Sequence, residues 1–317
     1  MSSFTLAAIV VAAVVFVLAR MLENEYVFFA GYVVLQFIVL ATAWNILGGY
    51  CGYVNFGSAA FFAVGAYSSV ALYKAAPILP LPVLILIGGL VSGLIGLGVA
   101  YLTLRLRGVF FAIATLALAV VIQTLVINWT FVGGSRGAYI IRANELNVFG
   151  YELPYTQYLF LLMLGLVVAA IVTARAIERS RLGFGFATIR DDEQAAEACG
   201  VPTLRLKLIA STLSGAFMGM AGAPFPYYIG YIEPASAFNL LYAVNAIAMP
   251  MIGGTTSWIG PLIGAILLGT MQEVARVTIS SVVGVLIVGV LLVVFVIIAP
   301  RGIVGLVREH LIARRKP

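Results

Sequence analysis

LPVLILIGGLVSGLIGLGVAYLTL, Leu81 to Leu104, runs for 24 residues without a charged side chain and stops at Arg105 and Arg107. As a helix rising about 1.5 Å per residue, it is long enough to cross the ~30 Å hydrocarbon core of a bilayer. Lipid is the solvent this stretch is built for. Segments of the same character flank it on both sides. Towards the amino terminus they are Phe56 to Tyr73, Tyr26 to Leu47 and Phe4 to Ala19. Towards the carboxyl terminus they are Val109 to Trp129, Tyr155 to Ala174, Lys207 to Ile229, Ala237 to Ile252, Ile259 to Val274 and Ser281 to Ala299. The first, Phe4 to Ala19, is short for a span at 16 residues, but Arg20 can snorkel and extend it. It lacks the basic start and small-x-small end of a cleaved signal peptide, and reads as a retained helix. The segment with Asn239, Asn245 and Pro250 runs at once into Gly253-Gly254, which also fits a broken or re-entrant helix.

The composition agrees. Of 317 residues, 63% are hydrophobic and 9% charged, where soluble domains carry about 25% charged residues; the mean hydropathy is +1.12. Ten spans of about 20 residues each leave connecting loops and no soluble catalytic domain. The expected fold is all-α: one polytopic membrane domain, 1–317, with about ten transmembrane helices and Gly-rich broken or re-entrant segments. It contains a cytoplasmic loop at 175–206 and a basic cytoplasmic tail at 300–317. Cys51 and Cys199 are too few for a disulfide framework.

The net charge of +6 does not call for nucleic acid, because the basic residues sort by side. With the amino terminus inside, ten crossings place Arg105, Arg107, the six from Arg175 to Lys207 and the five from Arg301 to Lys316 on the inner face. Arg20, Lys74, Arg136, Arg142 and Arg276 fall outside. Acids divide evenly, so the inner face is net +7 and the outer face net −1. This is the positive-inside asymmetry of a multi-pass membrane protein with both termini in the cytoplasm. Trp44, Trp129 and Trp258 sit near segment ends, where a belt of amphipathic rings at the headgroups is expected. Tyr151, Tyr155, Tyr158, Tyr227, Tyr228 and Tyr231 lie near outer boundaries and read mostly the same way.

Several chemistries are missing. A charge at mid-bilayer costs about 2.5–3.5 kcal/mol on insertion scales, so proton-coupled transporters retain such groups for a purpose. Here Lys207 and Glu273 lie at segment ends, and the one histidine, His310, is in the tail. A metal cluster or a Ser-His-Asp set cannot be assembled from these residues, so no catalytic residue and no metal ligand is assigned. No Gly-Lys pair exists, and with it no phosphate-cradling loop of the G-x-x-x-x-G-K-[ST] form. If ATP drives this protein, another chain binds it.

What remains inside the spans is neutral polarity. Asn45, Asn55, Ser58, Thr115, Gln123 and Asn245 are the candidates for a substrate pathway, against the plainer role of interhelical hydrogen bonding at about 0.6 kcal/mol each. Glycine clusters in two stretches at predicted inner turns: GGYCGYVNFG, with Gly48, Gly49 and Gly57, and IGGTTSWIGPLIGA, with Gly253, Gly254 and Gly260. Irregular backbone at membrane depth is tolerated where it lines a cavity or is buried in protein. Both clusters read as re-entrant turns near a central cavity or as close packing, the role of Gly89-x3-Gly93 and Gly215-x3-Gly219.

The longest inner loop, RAIERSRLGFGFATIRDDEQAAEACGVPTLR from Arg175 to Arg205, carries the most information. Asp191 with Gln194 three positions on is an N-cap signal, Asp192 and Glu193 suit the positive end of a helix dipole, and Gly200 with Pro202 is a stop. A short helix from about Asp192 to Cys199 follows. Phe184, Phe186 and Ile189 precede it, and exposed apolar side chains beside charged ones call for a partner.

The sequence resembles the permease subunits of ATP-binding-cassette importers for branched-chain amino acids, the hydrophobic amino acid uptake family. The resemblance is carried by GYCGYVNFGSAAFFAVGAY at Gly49 to Tyr67, FAIATLALAVVIQ at Phe111 to Gln123 with FVGGSRG at Phe131 to Gly137, RLGFGFATIRDDEQAAEACGV at Arg181 to Val201, and MIGGTTSWIGPLIGA at Met251 to Ala265. It covers roughly Tyr32 to Gly305 and looks most like the longer-loop member of the permease pair. Asn55 and Ser58 stand where the family pattern carries Ser and His, and Gly254-Thr255-Thr256 replaces its Gly-Gly-x-Gly series.

The resemblance implies an ATPase-coupling segment on Arg181, Phe184, Phe186, Ile189, Arg190, Asp191, Asp192, Glu193, Glu197 and Gly200. It implies no cofactor in this chain, with ATP and Mg on two cytoplasmic ATPase subunits. The further partners implied are a second, related permease chain, an extracytoplasmic substrate-binding protein docking on an outer surface such as Gly133 to Tyr155, and membrane lipid. Urea, short amides or aromatic acids are alternative substrates within the class. A stand-alone secondary transporter or channel is the alternative of another class; a polytopic membrane enzyme lacks a catalytic set.

Overall fold

The computed structural model describes residues 2–103, 106, 108–141, 145–148, 151–278, 286, 289, 290, 293, 294 and 302–306. The long apolar runs become α1 (Ser2–Met21), α2 (Glu25–Asn45), α3 (Ser58–Ala75), α4 (Leu81–Thr103), α5 (Val109–Ile127) and α6 (Tyr155–Glu178). After α6 come two short helices, α7 (Arg181–Asp191) and α8 (Glu193–Ala198), and then α9 (Thr203–Gly222), α10 (Phe225–Ile229), α11 (Pro234–Ala237), α12 (Leu240–Gly253) and α13 (Ile259–Thr278). The small amount of sheet consists of two antiparallel pairs. Strand β1 (Ala138–Tyr139) pairs with β4 (Tyr231–Ile232), and β2 (Glu145–Val148) with β3 (Tyr151–Pro154).

Nine of the ten expected segments are helical. Among the described residues, 7 segments are long and apolar enough to cross a membrane: Ser3–Met21, Glu25–Tyr50, Leu81–Thr103, Val109–Ile127, Tyr155–Glu178, Thr203–Ile229 and Pro234–Gly253. Helices α3 and α13 stand where expected but fall below that threshold. For α3 the reason is composition: it carries Ser58, Ser68, Ser69, Gly65 and Lys74 and is mostly buried by other helices, so it need not be oily on every face. The tenth segment, Ser281–Ala299, lies outside the described residues apart from five helical positions, and the basic tail apart from 302–306.

Lipid offers helices no hydrophobic reason to associate, so close backbone approach and hydrogen bonds do the work. The most extensive helix pair, α4 with α9, is built this way. A Cβ added to Gly93 would sit 3.2 Å from that of Ala216, and one on Gly96 would sit 3.2 Å from the Ser211 carbonyl. Ser92 Oγ donates to the carbonyls of Phe61 (3.0 Å) and Gly215 (2.8 Å), tying α3, α4 and α9 together. The packing role expected of Gly89, Gly93, Gly215 and Gly219 is what the structure contains. Helix α2 forms the centre, buried from Tyr32 almost continuously to Asn45 between α6, α9, α12 and α13. Helix α5 is the most lipid-like of the internal spans, with Phe110, Ile113, Val120 and Leu125 exposed.

Two expectations about aromatic rings are corrected. Trp44 does not face outward as a belt ring would: it is 2% exposed, and its indole N–H donates to the Asn55 carbonyl at 2.9 Å. Trp258 packs edge-on to Phe4 at 5.2 Å, with the Arg175 guanidinium over the Phe4 ring; Trp129 alone of the three is well exposed. Tyr155, Tyr227 and Tyr228 are buried, Tyr228 stacking on Tyr32 at 4.3 Å and on Phe29 at 4.5 Å. Boundary position in sequence did not separate rings facing lipid from rings facing neighbouring helices.

Helix α6 sets the two ends of the molecule. Its 24 residues extend about 36 Å, with β3 entering one end and α7 leaving the other. At the β end, the turn carrying FVGGSRG is anchored to α3 and α10. Lys74 Nζ donates to the Phe131 carbonyl (3.0 Å), Tyr231 OH to the Arg136 carbonyl (2.7 Å) and the Ile140 N–H to the Gly230 carbonyl (2.9 Å).

Candidate functional site: a helical hairpin on a closed polar core

At the α7 end the inner loop is a pair of helices rather than one. Ser180 caps α7, accepting from the N–H groups of Leu182 and Gly183. Asp192, not Asp191, caps α8, its Oδ1 accepting from Gln194 (2.9 Å) and Ala195 (3.0 Å). Asp191 instead ends α7, its carboxylate beside Arg190 at 3.3 Å. Gly200 closes α8, donating to the Glu197 carbonyl at 2.9 Å, while Glu197 accepts from Thr203 Oγ1 at 2.8 Å. Helix α7 escaped the sequence reading because Gly183 and Gly185 sit in its first turns. Gly183 fits against the Ile177 carbonyl, where backbone leaves no room for a Cβ, and Gly185 lies beneath the end of the Leu206 side chain.

The two phenylalanines have opposite roles. Phe184 is 71% exposed, whereas Phe186 is 0% and Ile189 4% exposed. The exposed apolar side chain of the hairpin is therefore Phe184, while Phe186 and Ile189 hold the hairpin on the bundle. Glu193 also turns inward. Its Oε1 lies 2.6 Å from Lys207 Nζ on α9, and Tyr53 OH donates to its Oε2.

Beneath the hairpin lies the first glycine stretch. Helix α2 widens into a π-type turn over Ile46–Tyr50, followed by an irregular segment to Gly57. Gly52 is left-handed (φ +81°), and a Cβ there would come 3.0 Å from Arg190 Cγ, so this turn touches α7. Gly48 faces the Trp44 ring. Asn55, Ser58 and Thr115 are brought together as a knot that holds Gly57. Asn55 Oδ1 accepts from the Gly57 N–H (2.7 Å), Ser58 Oγ donates to the Asn55 carbonyl (3.2 Å) and Thr115 Oγ1 accepts from the Phe56 N–H (3.2 Å).

The second stretch meets the first. Gly254, with φ +114°, breaks α12 from α13, Gly253 packs on the Gly260 carbonyl, and Gly260 packs on Gly254. Trp258 N–H donates to Glu178 Oε2 at 2.9 Å, fastening this turn to the end of α6.

The other pathway candidates are dispersed. Asn245 Oδ1 accepts from Gln272 Nε2 at 2.9 Å, between α12 and α13. Gln123 is half-buried on α5. Asn45 is 1% exposed, and neither amide atom has a hydrogen-bond partner among the described residues. The cavity beside Gly57 and Thr115 measures about 10 Å³, room for one water at most. The glycine turns are filled by packing. A larger apolar groove of about 900 Å³ runs between α1, α2, α6 and α13, past Phe4, Val11, Gly31 and Phe160, and includes none of the candidates. Among the described residues no group of His, Cys, Asp and Glu could hold a metal ion.

The described residues thus form a polytopic helical bundle that carries a helical hairpin at one end. The family model for the permease component of branched-chain amino acid transport systems matches residues 26–296, and the chain belongs to that family. It is 29% identical over 300 residues to the high-affinity branched-chain amino acid transport system permease protein LivM of Salmonella typhimurium, covering 87% of this chain and 69% of that one. It is 25% identical over 270 residues to a probable branched-chain amino acid transport permease protein LivH of Methanocaldococcus jannaschii, covering 79% and 82%. A shorter likeness, 31% over 117 residues and 35% of this chain, is to the autoinducer 2 import system permease protein LsrC of Klebsiella pneumoniae, of which it covers 34%. No solved structure matches.

Proposed function

We propose that this chain is the membrane-spanning permease subunit of an ATP-driven importer that carries branched-chain or related hydrophobic amino acids into the cytoplasm. It has no ATPase site; two cytoplasmic ATPase subunits bind ATP and Mg, and α7–α8 is the element that seats in them. The observation that carries the reading is Phe184, 71% exposed at the tip of a helix whose neighbouring apolar residues, Phe186 and Ile189, are buried. A soluble loop has no reason to present a bare phenyl ring among charges, but a docking element does.

The second permease of the pair is a related chain, as the likeness to both LivM and LivH suggests. The β1–β4 end faces outward and receives a substrate-binding protein, both termini are cytoplasmic, and Asn45, Asn55, Ser58, Thr115, Gln123 and Asn245 lie along the path when it opens. Low intrinsic affinity suits such a permease, since the binding protein supplies selectivity.

The test is purification with the neighbouring gene products, followed by leucine uptake into proteoliposomes. The reading requires an ATPase in the complex and uptake that depends on ATP and on the loaded binding protein. Uptake without ATP, with no ATPase recovered, would mean a stand-alone transporter. Ligand binding by the cognate binding protein decides between branched-chain acids and urea, amides or aromatic acids.

A further inference from the structure

Lys207 is the one buried lysine among the described residues, 3% exposed at the start of α9. Its ammonium group reaches Glu193 Oε1 at 2.6 Å and Tyr53 OH at 3.3 Å, and it lies 4.9 Å from the centre of the Tyr53 ring. Tyr53 OH donates to the other carboxylate oxygen of Glu193, and its ring meets Phe111 of α5 edge-on at 5.1 Å. Each member comes from a different part of the molecule. Glu193 is the first residue of α8, Lys207 belongs to a membrane helix, and Tyr53 belongs to the irregular turn between α2 and α3.

Stability alone does not account for such a trio. Well-packed apolar residues in place of a buried ion pair are often equally or more stabilising, because desolvating both charges offsets their attraction. Charged hydrogen bonds differ from apolar contacts in direction: they hold one geometry, whereas apolar surfaces slide over one another with little change in energy. A bistable membrane bundle pushed from one end needs contacts of the first kind where the push enters.

We propose that Glu193, Lys207 and Tyr53 form a transmission latch that converts displacement of α7–α8 into joint displacement of α9 and the glycine turn after α2. The latch rests on the coupling role of α7–α8 given above and names the residues through which that role is exercised. Lys207 and Tyr53 are positioning residues, acting through their contacts with Glu193 of α8. Contact between Gly52 and Arg190 supports the same joint from α7.

The experiment uses the complete importer, both permeases, both ATPases and the binding protein, in proteoliposomes, with radiolabelled leucine uptake and ATP hydrolysis measured together. Glu193→Met with Lys207→Met removes both charges without orphaning either. The expected result is an intact complex and at least a tenfold lower ratio of leucine transported to ATP hydrolysed. Tyr53→Phe, which keeps both charges and the ring, gives a smaller loss of the same ratio and serves where the double variant does not assemble. The exchanged pair Glu193→Lys with Lys207→Glu recovers part of it.

An unchanged transport ratio in the double variant, or in Tyr53→Phe where only that assembles, overturns the latch. So does release of the ATPase from the variant complex, since the trio would then serve docking instead. Failure of the coupling role itself reads differently, as a wild-type chain that recovers no ATPase.

Discussion

Gly49 lies so close to Thr255 that a Cβ on Gly49 would stand 2.7 Å from the Thr255 carbonyl oxygen. Residues more than two hundred positions apart, one from each glycine stretch, thus share a single backbone-to-backbone contact. Gly49→Ala has nowhere to put its methyl group, because Asn45 Oδ1 crowds the same space. Overpacking of this kind costs about 1–3 kcal/mol, to be read as a lower midpoint of thermal unfolding in detergent. Gly98→Ala is the control. It is helical and no atom lies within 4 Å of its added Cβ, so its midpoint should not fall.

Phe184→Ala and Phe186→Ala should separate docking from folding. Loss of the buried Phe186 ring should destabilise the protein by about 3–5 kcal/mol. Phe184→Ala should leave the unfolding midpoint unchanged and weaken ATPase binding at least tenfold in a pull-down titration. If both variants lowered stability alike, Phe184 would have to be a packing residue.

Asp192→Ala removes the cap of α8 and should cost about 0.5–2 kcal/mol, detected as faster amide hydrogen exchange from Gln194 to Ala198. Asp191→Ala, one residue earlier, should leave exchange in α8 as it was, since the Asp191 side chain is 73% exposed and caps nothing there.

Cys51 and Cys199 should differ sharply towards a maleimide. The thiolate is the reactive form, and burial pushes the Cys51 thiol up to about 12, with nearby Glu193 adding to the rise and Lys207 opposing it. Cys51 is therefore protonated throughout the neutral range, becoming a thiolate only as pH approaches that value, and it is also out of reach at 0% exposure. Cys199 is exposed. Native protein at pH 7.5 should take up one label, and Cys199→Ser none. A membrane-impermeant maleimide should label Cys199 in inside-out vesicles and not in right-side-out ones, which also tests the cytoplasmic placement of α8.

The helical bundle was legible in the sequence because lipid imposes it: apolar runs such as Leu81 to Leu104 leave the backbone no alternative to a helix. The small-residue seam of α4 and α9 was legible for the same reason, as glycines at four-residue spacing have one strong use in a membrane. What could not be read was which face of a residue's surroundings is protein. Trp44 and Tyr228 sit at segment ends as headgroup anchors do, yet other helices cover them. Phe184 and Phe186 differ by two positions, and only the packing of α7 on α9 tells them apart. Lys207 and Glu193 carried a usable signal, a charge at the head of an apolar helix and a carboxylate 14 residues before it. The third member, Tyr53, lies 140 residues from Glu193, and nothing local announces it.

Ser92 joins α3, α4 and α9 by two carbonyl hydrogen bonds, and the glycines around it bring three backbones into contact. Much of that seam is backbone against backbone, as where Gly65 lies on the Gly219 carbonyl, so the trio behaves more as a rod than as a spring. A displacement applied at the Lys207 end of α9 reaches its far end, some 30 Å away along 20 residues, with little lost to rotamer changes on the way. On the coupling role proposed for α7–α8, stiffness of this kind sets a timing rule: the two ends of α9 move together, and neither waits for the other.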